Sequence, residues 1–411
     1  MPSPTRLVQL VVAATLASGL LVPAAGSAHA PVAAPVDAPV DGPAQAPAPA
    51  PAPAPVVVPT ERQGRTPAAV LDRMSLRQRV GQLFVVGTPA DRVDRRTRAQ
   101  IGRLHVGNVM LTGRSYGGVR PPARVARTLR AEVDADSTAQ VRLFVATDQE
   151  GGLVRVLQGP GLAPIPSALA QGRWEPHRLR RAATTWAGQL RRAGVNLNLA
   201  PVADTVPSRA AARDNPPIGR YDREFGFTTK VVARHAVAFA RGMADGGVVP
   251  TVKHFPGLGR VRANPDTTAG VTDRVTTRHD RYLAPFRAAI DAGVPVVMMS
   301  TATYQRLDRR NPAAFSRFVI GTMLRRDLGF TGVVVSDDLA RARQVAHIPP
   351  GRRAVRFLAA GGDLVLSVDP GPVPQMYAAV LARARSHDGF KALVDAATLR
   401  VLRAKQAHGL L

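Results

Sequence analysis

Eight short apolar runs recur between residues 82 and 369, and each stops at a polar or small residue. They are QLFVVG (82–87), VGNVMLTG (106–113), RLFVATDQEGG (142–152), NLNLAPVAD (196–204), VVPTVKHFPG (248–257), VPVVMMSTAT (294–303), GVVVSDDL (332–339) and DLVLSVD (363–369). Near-continuous β-branched runs of this kind read as parallel strands buried on both faces. Helical patterns such as HRLRRAATTWAGQLRRAG, KVVARHAVAFARGMADGG and RYLAPFRAAIDAG lie between most of them. Several close on Gly just before the next strand, as a helix C-terminus does. Eight strand–helix units predict a (β/α)8 TIM-like barrel, one α/β domain over residues 65–411. A doubly wound open sheet is the competing arrangement, but no Gly-rich phosphate loop follows the first strand.

A barrel concentrates its chemistry at the C-terminal ends of its strands. Asp148 and Glu150, Asp204, Lys253 with His254, Asp337 with Asp338, and Asp369 all fall there. A rim of carboxylates with one Lys-His pair suits a polar, polyhydroxylated ligand. Asp337 comes first after its strand, where its side chain faces the barrel axis, and it is the better nucleophile. Asp338 reads as a helix N-cap or dipole partner. In TDQEGG the paired glycines permit a tight backbone and close approach of a ligand; a simple turn would explain the glycines but not the acids. Lys253 is one of only four lysines, with Lys230, Lys391 and Lys405. It is either a structural ion pair to a neighbouring carboxylate or a sugar contact, because a compact ammonium suits hydroxyls where a planar guanidinium does not.

With 55 Lys and Arg against 29 Asp and Glu, the formal charge is +26. Such a surplus attracts polyanions, or it is a solvated arginine surface. The basic residues are scattered and form no nucleic-acid motif, so nucleic acid is not an expected partner; an anionic cell-wall polymer is. The absence of cysteine excludes disulfides, thiolate metal sites and a Cys nucleophile. Residues 1–30 read as a signal peptide: Arg6 precedes LVQLVVAATLASGLLV, and Ala28-His29-Ala30 is a small-x-small cleavage site. An uncleaved anchor is the alternative, disfavoured by a short run broken by Gly, Ser and Pro. Residues 31–64 form an Ala/Pro-rich linker of extended polyproline character, a spacer rising ~3.1 Å per residue. The expected localisation is secreted or wall-associated.

The pieces MSLRQRVGQLFVVG, TDQEGG, NLNLAPVAD, DREFG, KHFPGLG and VVVSDDL, in that order, resemble bacterial β-N-acetylglucosaminidases of glycoside hydrolase family 3. The resemblance extends from about Thr66 to Leu411, and KHFPG followed by SDDL is its most specific part. It implies a single-domain glycosidase, since related β-glucosidases carry a second α/β domain. It also implies that Asp337 is the nucleophile of a covalent glycosyl-enzyme, and that Asp148, Arg223, Lys253 and His254 hold the terminal sugar. No metal or organic cofactor is implied.

The loop after KHFPG departs from the family pattern. The family carries His between the two glycines and an Asp-x-His dyad beyond, whose His is the acid/base. Here those positions are Leu258 and Asp266-Thr267-Thr268. Asp266 is therefore the candidate acid/base, or the residue that orients one. The family arginine after DQEGG is also displaced, with Arg155 one residue early and Val156 in its place. Together these features read as a secreted retaining enzyme releasing non-reducing terminal β-linked N-acetylglucosamine from peptidoglycan-derived glycans or muropeptides. Two alternatives stand beside it: an impaired barrel that binds or senses wall sugars, and a hydrolase of another sugar.

Overall fold

The computed structural model describes residues 66–411. The expected signal peptide and the Ala/Pro-rich linker lie outside the described residues.

Eight parallel strands form one sheet. They are β1 (Phe84–Pro89), β2 (Asn108–Thr112), β3 (Phe144–Thr147), β4 (Leu197–Asn198), β5 (Val249–Phe255), β6 (Val296–Met299), β7 (Val333–Ser336) and β8 (Val365–Ser367). Sequential strands are neighbours from β1 to β7, and β8 returns to pair with β1 through Phe84↔Val365. A parallel bridge between Val335 and Leu364 joins β7 to the start of β8 and closes the barrel. Every strand falls inside one of the eight apolar runs, apart from the last residues of β1.

β4 is cut short because Pro201 has no N–H to give to a ladder. Asn198 bridges the gap, accepting from Gln149 N at 3.0 Å and donating to Gln149 O at 3.1 Å. Pairing with β5 continues through the proline, since Ala200 O and Pro201 O accept from Thr251 N at 3.0 Å and Lys253 N at 3.1 Å, and Ala203 N donates to Lys253 O at 2.6 Å.

The outer layer contains helices α1 (Arg95–Leu104), α2 (Arg120–Arg130), α3 (Pro176–Arg192), α4 (Thr229–Asp245), α5 (Ala284–Asp291), α6 (Pro350–Ala359), α7 (Val373–Ser386) and α8 (Asp388–Ala407). A π-helical turn over Phe318–Asp327 fills the place between β6 and β7. Local signals set the ends. Asp94 caps α1 by accepting from Arg96 N and Thr97 N, and Thr228 caps α4 through Val231 N. Gly194 and Gly247, after α3 and α4, sit at φ of 84° and 77°, where a side chain would be strained. A mostly aliphatic core lies between strands and helices.

Three rim segments shape the mouth of the barrel. After β3 the chain folds into a hairpin, Gln149–Gly151 against Val154–Arg155. After β5 a long loop runs to Thr272–Asp273, which joins Thr303–Tyr304 and Asp308–Pro312 in a small sheet. After β7 the chain turns through Asp337 and Asp338 into a short helical turn at Arg343–Val345.

Candidate active site

A cavity of about 530 Å³ opens at the C-terminal rim. Asp148, Arg223, Lys253, His254, Asp266 and Asp337 all line it. These six residues thus share one cavity, although they come from several rim segments and the DREFG turn; of the other rim acids, Asp338 also lines it, whereas Glu150, Asp204 and Asp369 do not.

One side is a buried charge cluster. Lys253 Nζ lies 2.6 Å from Asp148 Oδ1 and 2.7 Å from Glu150 Oε1. Arg223 grips Glu150 with two parallel bonds, Nε to Oε2 at 2.8 Å and Nη2 to Oε1 at 2.7 Å. Its third nitrogen, Nη1, donates to Pro217 O at 2.8 Å. Burial alone would favour the neutral acid, but Arg223 and then Lys253 outweigh it and hold the Glu150 carboxyl at about 2. Burial likewise opposes the Lys253 ammonium, and Asp148 and Glu150 overcome that and raise its pKa. Glu150 is therefore the hub of the cluster. The sequence places it at the rim without a function; its partner Arg223 lies 73 residues further on.

His254 is oriented by Asp204. Its Nδ1 lies 2.7 Å from Asp204 Oδ2, while Asp204 Oδ1 accepts from the backbone N–H of His254 at 3.2 Å and of Leu258 at 2.8 Å. A buried carboxylate only accepts, so Nδ1 carries the proton and Nε2 is the acceptor. Arg223 Nη2, 3.4 Å away, faces that acceptor. This tautomer makes His254 a poor proton donor toward the cavity. Leu258 lines the cavity as an apolar wall where the family has a histidine.

Asp337 and Asp266 lie on the other side. Asp337 follows β7 directly, its N–H bonded to Met299 O at 3.0 Å. Asp338 turns away into backbone duty. Its carboxylate accepts from Ala340 N and Arg341 N at 2.9 Å each and from Val368 N at 3.0 Å. It caps a turn rather than a helix. Asp266 lines the cavity at its mouth, where the residue is exposed to solvent. Desolvation against the cavity wall, then the Asp337 carboxylate, push its pKa up to about 7. Thr268 is exposed and outside the cavity lining.

Other departures resolve locally. Arg155 bonds Gln158 Oε1 at 3.0 Å and its neighbour Val154 faces the cavity instead. Arg114, after β2, lines the cavity and was not foreseen. Nor was Arg341, which pairs with Asp369 Oδ2 at 3.1 Å on the mouth. Gly151 adopts φ of 121°, and a Cβ there would collide with the Pro166 carbonyl, so the TDQEGG glycine is required by the hairpin's fit.

Residues 75–404 match the model of the glycosyl hydrolase family 3 N-terminal domain. A β-hexosaminidase from Xanthomonas oryzae pv. oryzae is 31% identical over 308 residues, covering 73% of this chain and 88% of that one. β-Hexosaminidase LpqI from Mycobacterium tuberculosis is 29% identical over 352 residues, with 84% and 86% covered. Among solved structures, a β-N-acetylhexosaminidase from Beutenbergia cavernae superposes with a TM-score of 0.80 at 52% identity, covering 81% of this chain and 99% of that one. A family 3 β-N-acetylglucosaminidase from Paenibacillus sp. str. FPU-7 gives a TM-score of 0.75 at 32% identity, covering 82% and 63%. By its fold, its rim and this match across the barrel, the chain belongs to glycosyl hydrolase family 3.

Proposed function

We propose that the protein is a retaining β-N-acetylhexosaminidase that removes non-reducing terminal β-linked N-acetylglucosamine by double displacement. The observation that carries this reading is the convergence of two carboxyl groups, Asp337 and Asp266, beside a fixed cluster of sugar-binding charges, with Asp266 held toward its protonated form. Names borne by relatives at 31% and 52% identity support the substrate class.

In the first step a carboxylate oxygen of Asp337 attacks the anomeric carbon. The glycosidic bond breaks, and the leaving oxygen takes the proton from Asp266. In the second step water attacks the anomeric carbon, Asp266 takes its proton, and the ester to Asp337 breaks. Asp148, Arg223, Lys253 and His254 present donors and acceptors to the sugar hydroxyls. Secretion, and a substrate drawn from wall glycans or muropeptides, belong to the same proposal; residues 1–30 and the basic surface support them.

The test compares two substrates. Asp266→Ala should slow hydrolysis of disaccharide-type substrates by roughly 10²–10⁴, the span general acid catalysis supplies. Aryl glycosides with acidic phenols need little protonation and should lose far less. Asp337→Ala should abolish turnover of both while the fold persists, and a fluorinated sugar should label Asp337 in the parent. A well-folded Asp337→Ala that turns over normally would sink the nucleophile assignment. No activity of the parent on any aryl glucosaminide would leave the sugar-binding reading, which the absence of a dyad histidine favours.

A further inference from the structure

We infer that Gln344 is a positioning residue that fixes Asp266 over the cavity against Asp337; the inference rests on the reading of Asp266 as proton donor. Gln344 lies on the short helical turn after β7 and is buried. Its side-chain amide meets the backbone of one residue twice. Oε1 accepts from Val271 N at 2.7 Å, and Nε2 donates to Val271 O at 3.1 Å. A primary amide offers one acceptor and one donor side by side, which matches a residue's N–H and C=O. Among uncharged side chains of this length, Gln alone offers both.

The backbone here holds the other end of the same loop. Gln344 N donates to Pro265 O at 3.0 Å, and Arg343 N donates to Asp266 O at 3.1 Å. Within the loop, Asp266 N bonds Asn264 Oδ1 at 2.9 Å. Residues 265–271 are thus clamped at both ends by two adjacent residues of the loop after β7. That segment is the one that begins with Asp337.

The clamp itself is firmly braced. Asp338 ties Ala340, Arg341 and Val368 together by their N–H groups. Buried Arg353, on α6, donates to the carbonyls of Ile348 at 2.6 Å, Leu339 at 2.6 Å, Ala340 at 2.9 Å and Ala346 at 3.0 Å. One scaffold therefore spaces nucleophile and donor, although the two follow different strands. Orientation of this sort is what a donor on a surface loop otherwise lacks. A histidine dyad would orient its own acid; with Thr268 outside the cavity, the orienting falls to the clamp.

The experiment compares Gln344→Met, of similar length without the amide, with Gln344→Glu, which keeps the acceptor and loses the donor. Turnover of an alkyl or disaccharide-type glucosaminide should fall at least roughly 10-fold more than that of an acidic aryl glucosaminide, part of the general-acid contribution. KM for both should change little. Release of Asp266 toward water should also move the basic limb of the alkyl-glycoside pH profile to lower pH. Labelling of Asp337 by an activated fluorinated sugar at the parental rate shows that the fold and nucleophile survive. If Gln344→Met does not fold, Gln344→Glu answers by the same criteria. Equal losses on both substrates, or no loss with an unmoved pH limb, overturn the inference. Asp266→Ala measured beside them separates the failures: if it shows the leaving-group dependence and the Gln344 variants do not, only the role of Gln344 falls. If Asp266→Ala shows none, the donor assignment falls and takes the clamp with it.

Discussion

Lys253 is the ion pair that its sequence context allowed, and it stands where a ligand could reach it. Its ammonium is ion-paired to Asp148 and Glu150, and it faces the cavity. The two uses are compatible because three donors on one nitrogen serve two carboxylates and leave one for a ligand. Arginine has no equivalent place, since Arg223 already occupies the forked face of Glu150. Lys253→Arg should therefore raise KM strongly and cost about 1–3 kcal/mol of stability through overpacking. A melting curve and a Michaelis–Menten series check both, and parental values in each would make Lys253 a replaceable charge. The site's carboxylates, Lys253 and His254 were legible because buried strands rarely end in ionisable groups. Glu150 was placed at the rim but given no role, because its importance comes from Arg223, distant in sequence and brought near only by the fold.

The strands were legible as elements because a barrel strand is buried on both faces and reads as one apolar run. The rim was less so. Its hairpin after β3, the small sheet built from the loops after β5 and β6, and the Gln344 clamp all depend on side chain–backbone bonds that leave no periodicity. The DREFG turn shows the same limit. Arg223 is recognisable by motif, but its neighbour Glu224 is buried with no bond from any other residue to its carboxyl oxygens. Burial, with a smaller push from Asp222, raises its pKa from 4.5 to about 7. A carboxyl with a raised folded-state value stabilises the fold fully below its unfolded value. That contribution is lost as pH rises through the folded value. The parent should accordingly lose stability between about pH 4.5 and 7 at this turn. Glu224→Gln keeps the shape without the ionisation, so its advantage in melting temperature should grow across that window. Parallel melting curves for variant and parent across those pH values would show that the turn does not feel Glu224.

At the scale of the whole molecule the charge surplus has a definite location. Residues 1–65 hold three basic and three acidic side chains, so the full +26 belongs to the described residues. Within the charge cluster of the candidate site, Asp148 and Glu150 pair with Lys253, and Glu150 again with Arg223. Apart from buried Arg353 and Lys405, no lysine or arginine of the described residues outside this cluster is buried, so most of the surplus is a property of the outer surface, which acts over distances set by salt. The Debye length is about 10 Å at 0.1 M and about 3 Å at 1 M. A neutral aryl glucosaminide would feel only the cavity, whereas an anionic wall polymer, if it is the substrate as proposed, would meet the whole surface before its terminal sugar reached Asp337. Raising salt from about 0.1 to about 1 M should leave kcat/KM on the neutral substrate nearly constant. On polyanionic glycans KM should rise steeply, with kcat little changed, because screening weakens encounter and not chemistry. Retention on an anionic polymer matrix should vanish over the same range. A KM on the polyanion that ignores salt would mean that the arginine surface is merely solvated and that recognition is confined to the cavity.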